Sequence, residues 1–150
     1  MRRGTTRSRP RRRRGTSTRA AVEKGIRDFF SGRGFLETRT PLLVPCPGME
    51  THIRPFRVEP SARASAFEGY DVFLPTSPEF AMKRLLAGGL EKIFQMSQAF
   101  RDEPHSPHHL PEFTMLEWYQ AYAGYEAIQQ DTEELIEFLA TFICGVPEIS

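Results

Sequence analysis

Apolar residues change period several times along the chain, and each change marks an element. Between Ala20 and Ser31, Val22, Ile26, Phe29 and Phe30 recur at i, i+4, i+7 and i+8, a helical stripe that Gly32 and Gly34 stop. FLETRTPLLV then reads as a strand, with Pro41 suited to an edge, a bulge or an interface. Residues 45–69 read as loop with a short strand around Ile53–Val58, and DVFLP opens another strand. TSPEFAMKRLLAGG carries helix punctuation: Thr76 or Ser77 to cap, Pro78 in the first turn, Glu79 to close a capping box with Thr76, and Gly88–Gly89 to stop. EKIFQMSQAFR and EFTMLEWYQAY each alternate as strands across a loop of about ten residues, too long for a tight hairpin turn. From Tyr125 to Ile143, Ile128, Leu135, Ile136, Leu139, Phe142 and Ile143 form a second amphipathic stripe. This order predicts an α+β fold, an antiparallel sheet covered by helices.

Charge divides the chain more sharply than its net value of +1 suggests. Residues 1–19 hold nine arginines and no acid, which leaves 11 basic against 19 acidic groups from residue 20 onward, a net of −8. The acidic body has little attraction for polyanions, so any non-specific nucleic-acid affinity belongs to the arginine-rich tail. That tail has nothing apolar to bury and is expected to be disordered. An RNA-contacting arm, an organellar transit peptide, a solvated extension and a misplaced start codon all fit its composition. The structured domain is expected over residues 20–150. No apolar run follows the arginines as in a secretory signal, and no stretch approaches the ~18 apolar residues of a membrane span. Cys46 and Cys144 stand apart, which fits buried thiols in a reducing, cytoplasmic setting.

The paired strands carry the chemistry. Period two puts Phe113, Met115, Glu117 and Tyr119 on one side of their strand and Thr114, Leu116, Trp118 and Gln120 on the other. On the preceding strand Arg101 shares a side with Ala99, Ser97 and Gln95. A carboxylate on an apolar face costs several kcal/mol unless paired. Two partners fit Glu117: Arg101 or Lys92 across the strands, or the ammonium of a ligand, which leaves the arginine for an anion. His105, His108 and His109 crowd the loop, but no cysteine or helically spaced carboxylate accompanies them, so no metal site is expected.

A resemblance narrows these choices. AFRDE, followed at loop distance by HLPEFTMLEWYQAY, resembles motif 2 of class II aminoacyl-tRNA synthetases, in particular the lysyl-tRNA synthetase group and the related elongation factor P (R)-β-lysine ligases. GRGFLETRTPLL resembles motif 1, and LPTSPEFAMKRLLAGG resembles the TSPE-x-x-MKRLLA segment of the β-lysine ligases. The three occur in family order over about residues 20 to 125. The resemblance implies activation of lysine or β-lysine by ATP as an aminoacyl-adenylate, with transfer to elongation factor P, or to tRNA in the synthetase alternative. It also implies a homodimer through motif 1. A shortened, non-catalytic dimerisation or binding module is the remaining alternative.

By the same resemblance Arg101 is the catalytic residue and meets the α-phosphate. Asp102, Glu103, His109 and Leu110 belong with it to the ATP site, while Ser77, Pro78, Glu79, Glu117 and Tyr119 receive the amino acid. The family usually has His-Asn-Pro-Glu-Phe where this chain has His109-Leu110-Pro111-Glu112-Phe113, so the side-chain amide at 110 is lost. Motif 3, with a second arginine, and the acidic Mg²⁺ ligands are expected beyond Tyr125, where nothing resembles them; the chain reads as the N-terminal part of such a domain.

Overall fold

The computed structural model describes residues 10–59, 67, 69–104 and 106–144, and the chain divides into two compact units. His105, the first nine residues and the side chain of Cys144 lie outside the described residues.

One unit combines α1 (Pro10–Gly32) with α3 (Tyr125–Cys144). The stripe buries as its spacing predicts: Ile26, Phe29 and Phe30 are in the core, joined from α3 by Leu135 and Ala140. Phe29 meets Phe30 edge-on at 5.1 Å and Phe138 at 5.7 Å, while Arg33 lies over the Phe29 ring at 3.6 Å and pairs with Glu134. The helices approach closely at Gly25, where a Cβ would stand 2.7 Å from Leu139 Cδ2. Ile136 and Phe142, expected on the buried stripe, are exposed. α1 begins at Pro10, which corrects the expectation of disorder for residues 10–19. Arginine is a good helix former, and lengthening an existing helix needs no new nucleus. The Arg19–Glu23 pair adds a link one turn apart.

The other unit, Phe35–Tyr122, holds the sheet. β1 (Leu36–Glu37), β4 (Lys92–Phe100) and β5 (Glu112–Gln120) form one sheet in the order β1-β4-β5; β2 (Arg57–Val58) and β3 (Val72–Phe73) form a second pair. β4 and β5 are antiparallel as expected, but β1 joins β4 in parallel, so the main sheet is mixed. The strand expected across residues 35–44 is cut to two residues, with one further ladder bond from the Thr38 N–H to the Phe94 carbonyl at 2.8 Å. Val44 instead exchanges two backbone hydrogen bonds with Phe73. Phe35, Val72, Met82, Ile93, Phe94 and Ala99 build the core, and since Ile93 and Phe94 point to opposite faces, β4 is covered on both sides.

α2 (Glu79–Ala87) forms where the punctuation places it, but the capping box does not. Thr76 donates its hydroxyl to the Pro47 carbonyl at 2.9 Å, and the Glu79 carboxylate turns to Lys83. The Glu79 amide is met by Ser77 Oγ at 3.3 Å. Cys46 is exposed, contrary to the expectation of buried thiols, because the loop after Pro45 runs over the surface.

Candidate active site

The pairing of β4 with β5 decides which side chains meet. Gln95 stands opposite Glu117, Ser97 opposite Met115 and Ala99 opposite Phe113. Directly opposed residues share a face, so the period-two reading holds: Arg101, immediately after β4, and Glu117 belong to the same side of the ribbon. The Arg101 guanidinium lies over the Phe113 ring at 5.2 Å, and its Nε reaches towards the Thr76 carbonyl at 3.5 Å. No carboxylate among the described residues pairs with it. Its backbone N–H donates to the Pro111 carbonyl at 3.0 Å, which ties the start of the loop to its end. A planar guanidinium held by an aromatic face and a backbone carbonyl keeps terminal N–H groups for a bidentate anion.

A cavity of about 290 Å³ opens beside it, lined by Arg101, Glu103, His108, His109, Leu110 and Phe113. Four of the five residues assigned to nucleotide therefore share one wall, while Asp102 does not line it. Its backbone N–H donates to the Arg54 carbonyl at 2.8 Å, an anchor for the loop. The loop is shaped by its own side chains: Ser106 Oγ lies 2.7 Å from His109 Nδ1 and also accepts the His108 amide. His108 and Phe113 escaped the sequence assignment. The side of Phe113 was legible from parity, and His108 from its place beside His109.

At the other end, Glu117 is half-buried and pairs with no cation among the described residues; the tyrosine hydroxyl of Tyr119 donates to its Oε2 at 3.2 Å. Neither Arg101 nor Lys92 neutralises it, since Lys92 lies over the Phe35 ring at 5.3 Å. Burial pushes the Glu117 carboxyl up from its ordinary value; the Tyr119 hydrogen bond opposes this, and repulsion from Glu79 adds to it. Burial also raises the Tyr119 hydroxyl, and the Glu117 charge raises it further, so it stays a donor at neutral pH. Ser77, the buried Pro78 and Glu79 stand at the start of α2, with Ser77 and Glu79 both acting on Glu117.

The floor is tied down by a contact no local pattern announces. Gln95, opposite Glu117, is 3% exposed; its Nε2 donates to Thr40 Oγ1 at 2.9 Å and its Oε1 accepts from Thr38 Oγ1 at 3.3 Å. Both threonines lie in the segment after β1, so that segment is pinned beneath the carboxylate.

Comparison with known proteins agrees with this arrangement. The family model described as tRNA synthetases class II (D, K and N) matches residues 2–149. A lysine–tRNA ligase of Coxiella burnetii (strain Dugway 5J108-111) is 45% identical over 132 residues, covering 88% of this chain and 25% of the relative. Lysine–tRNA ligases of Actinobacillus succinogenes and Haemophilus influenzae (strain PittEE) are each 43% identical over 127 residues, covering 85% of this chain and 24% of theirs. The chain thus spans about a quarter of the length of these curated relatives. With nearly its whole length matched by the family model, the chain belongs to the class II tRNA synthetases of the D, K and N group.

Proposed function

We propose that this chain carries the nucleotide- and amine-facing part of a ligase that activates lysine or β-lysine with ATP. The observation that carries the reading is the shared face: among the described residues, a guanidinium without a paired carboxylate towards one end and a half-buried carboxylate without a paired cation towards the other. In the reaction a carboxylate oxygen of the amino acid bonds to the α-phosphorus of ATP. The bond from that phosphorus to the bridging oxygen breaks, and pyrophosphate leaves with the electron pair.

Arg101 is positioned to stabilise the charge gathering on the α-phosphate, a contribution that a fixed donor makes without reorganising. Glu103, His109 and Leu110 wall the nucleotide, with Asp102 holding the loop by its backbone. Glu117, supported by Tyr119, receives an ammonium of the substrate, and Ser77, Pro78 and Glu79 form the facing wall. Mg²⁺ would shield the phosphates, but among the described residues no three His, Cys, Asp or Glu side chains form a group able to hold a metal. No step is assigned to it.

Elongation factor P is the acceptor we favour, on the TSPEFAMKRLLAGG segment; the lysine–tRNA ligase relatives favour tRNA instead. Leu36, Leu42 and Leu43, exposed in and after β1, suit a homodimer through motif 1, in a cytoplasmic enzyme. Among the described residues no helix is long and apolar enough to cross a membrane.

The test is ATP–pyrophosphate exchange with lysine and with β-lysine, followed by transfer to elongation factor P or tRNA. Exchange that depends on Arg101 supports the ligase reading, and transfer to tRNA alone overturns the preferred acceptor. A chain that binds lysine and pairs with itself yet never exchanges supports the second reading, a non-catalytic binding module.

A further inference from the structure

Ser106-Pro107-His108-His109 has the make-up of a tight turn, with serine first and proline to fix the backbone of the second position. The structure forms that turn. The His109 N–H donates to the Ser106 carbonyl at 3.3 Å, and the His108 N–H donates to Ser106 Oγ at 3.3 Å. The same Oγ lies 2.7 Å from His109 Nδ1. Ser106 is half-buried and stands behind the cavity wall, whereas both histidines line it. We propose that Ser106 is a positioning residue for the nucleotide: its hydroxyl holds the His109 ring so that Nε2–H is the donor offered to the phosphates. This deepens the nucleotide reading above and rests on it.

The direction of the 2.7 Å contact follows from the hydrogens each group owns. A hydroxyl has one proton to give and two lone pairs to offer. The His108 amide takes one lone pair. Were Nδ1 protonated, it would take the second, and the hydroxyl proton would have no acceptor among the described residues. With the hydroxyl donating to Nδ1, every group is used. A neutral imidazole carries one proton, so an accepting Nδ1 leaves that proton on Nε2.

The wall then presents two kinds of donor, the Arg101 guanidinium and the His109 Nε2–H, beside the apolar Leu110 and Phe113. Glu103 is the one acid lining it, and among the described residues no hydrogen bond joins Glu103 to either histidine. Donors grouped with a guanidinium suit phosphate oxygens better than a base. His109 is exposed, so without Ser106 its ring would turn freely, and binding would have to order it each time.

The test records the ring nitrogens of His109 by ¹⁵N NMR at alkaline pH, where an imidazole is uncharged, in wild type, Ser106→Ala and Ser106→Thr. ATP and adenosine affinities are measured by calorimetry in the same proteins and again with His109→Ala. In wild type Nδ1 should carry no proton and show an accepted hydrogen bond, lost in Ser106→Ala and returned in Ser106→Thr. Ser106→Ala should weaken ATP about two- to tenfold, the range of one neutral hydrogen bond, and leave adenosine unaltered. With His109→Ala already present, Ser106→Ala should cost nothing more. A protonated Nδ1 in wild type overturns the inference, as does a resonance indifferent to Ser106. An equal loss for adenosine, or the same loss without His109, also overturns it, since a merely disturbed loop would act that way. A Ser106-dependent Nδ1 in a chain that binds no ATP overturns the nucleotide reading itself, whereas ATP binding with Nδ1 protonated overturns the Ser106 inference alone.

Discussion

The two ends of the β4–β5 ribbon solve opposite electrostatic problems. At the loop end, Arg101 keeps a guanidinium beside an open cavity and leans on Phe113, so its charge is positioned without being traded against a protein carboxylate. Further along β5, Glu117 sits half-buried with the hydroxyls of Tyr119 and Ser77 for support, and its carboxyl is pushed up by lost solvation. One end offers a charge at little cost to the fold; the other stores an unfavourable burial that, on the function proposed above, an ammonium would relieve.

The most damaging way to break this contrast is Arg101→Ala. We expect loss of at least about 100-fold in ATP–pyrophosphate exchange, on the scale of removing a fixed donor to developing charge, with lysine binding by calorimetry unchanged. Glu117→Gln attacks the other end and should do the reverse. Lysine binding should weaken by about 1.5–3 kcal/mol, the worth of a hydrogen bond to a charged group, while ATP binding is kept.

The same substitution sharpens the comparison through pH. Because the folded carboxyl is raised, the native state holds a proton that the unfolded chain has already released. Stability should therefore fall as pH rises from the ordinary carboxylate range through the raised value, and Glu117→Gln should melt higher than wild type at neutral pH. Lysine affinity, which needs the ionised form, should be lost as pH falls through that same raised value. A melting temperature unaltered by Glu117→Gln would remove the stored cost from the argument.

Gly25→Leu lies in the helical unit, which contains neither end of the ribbon. Its side chain would overpack Leu139 and Phe142, costing about 1–3 kcal/mol in chemical denaturation without changing lysine affinity in the folded protein. The smallest effect is expected from Leu110→Asn at the cavity wall, which restores the amide usual in the family. ATP should bind tighter by about 0.5–1.5 kcal/mol, measured by calorimetry.

Much of the ribbon was legible in advance because period two is a rigid rule. Once Glu117 and Arg101 lie on strands with a fixed register, their sides follow from parity, and the structure bears this out. The helix over Glu79–Ala87 was legible from its stops, Gly88 and Gly89, although its cap was not. Thr76 is drawn to Pro47, about thirty residues away in sequence, and a hydroxyl with two possible partners does not announce its choice. The pinning of Thr38 and Thr40 by Gln95 was hidden for the same reason.

Sequence alone determined which residues alternate, where helices stop, and which residues share a side within each strand, because these depend on backbone periods that operate over a few residues. Tertiary structure decided that β1 runs parallel beside β4, that Gln95 spends its amide on two distant threonines, and that Glu117 meets a tyrosine rather than a cation. Those outcomes depend on which polar groups compete for one another once water is excluded, and that competition exists only after distant segments have come together.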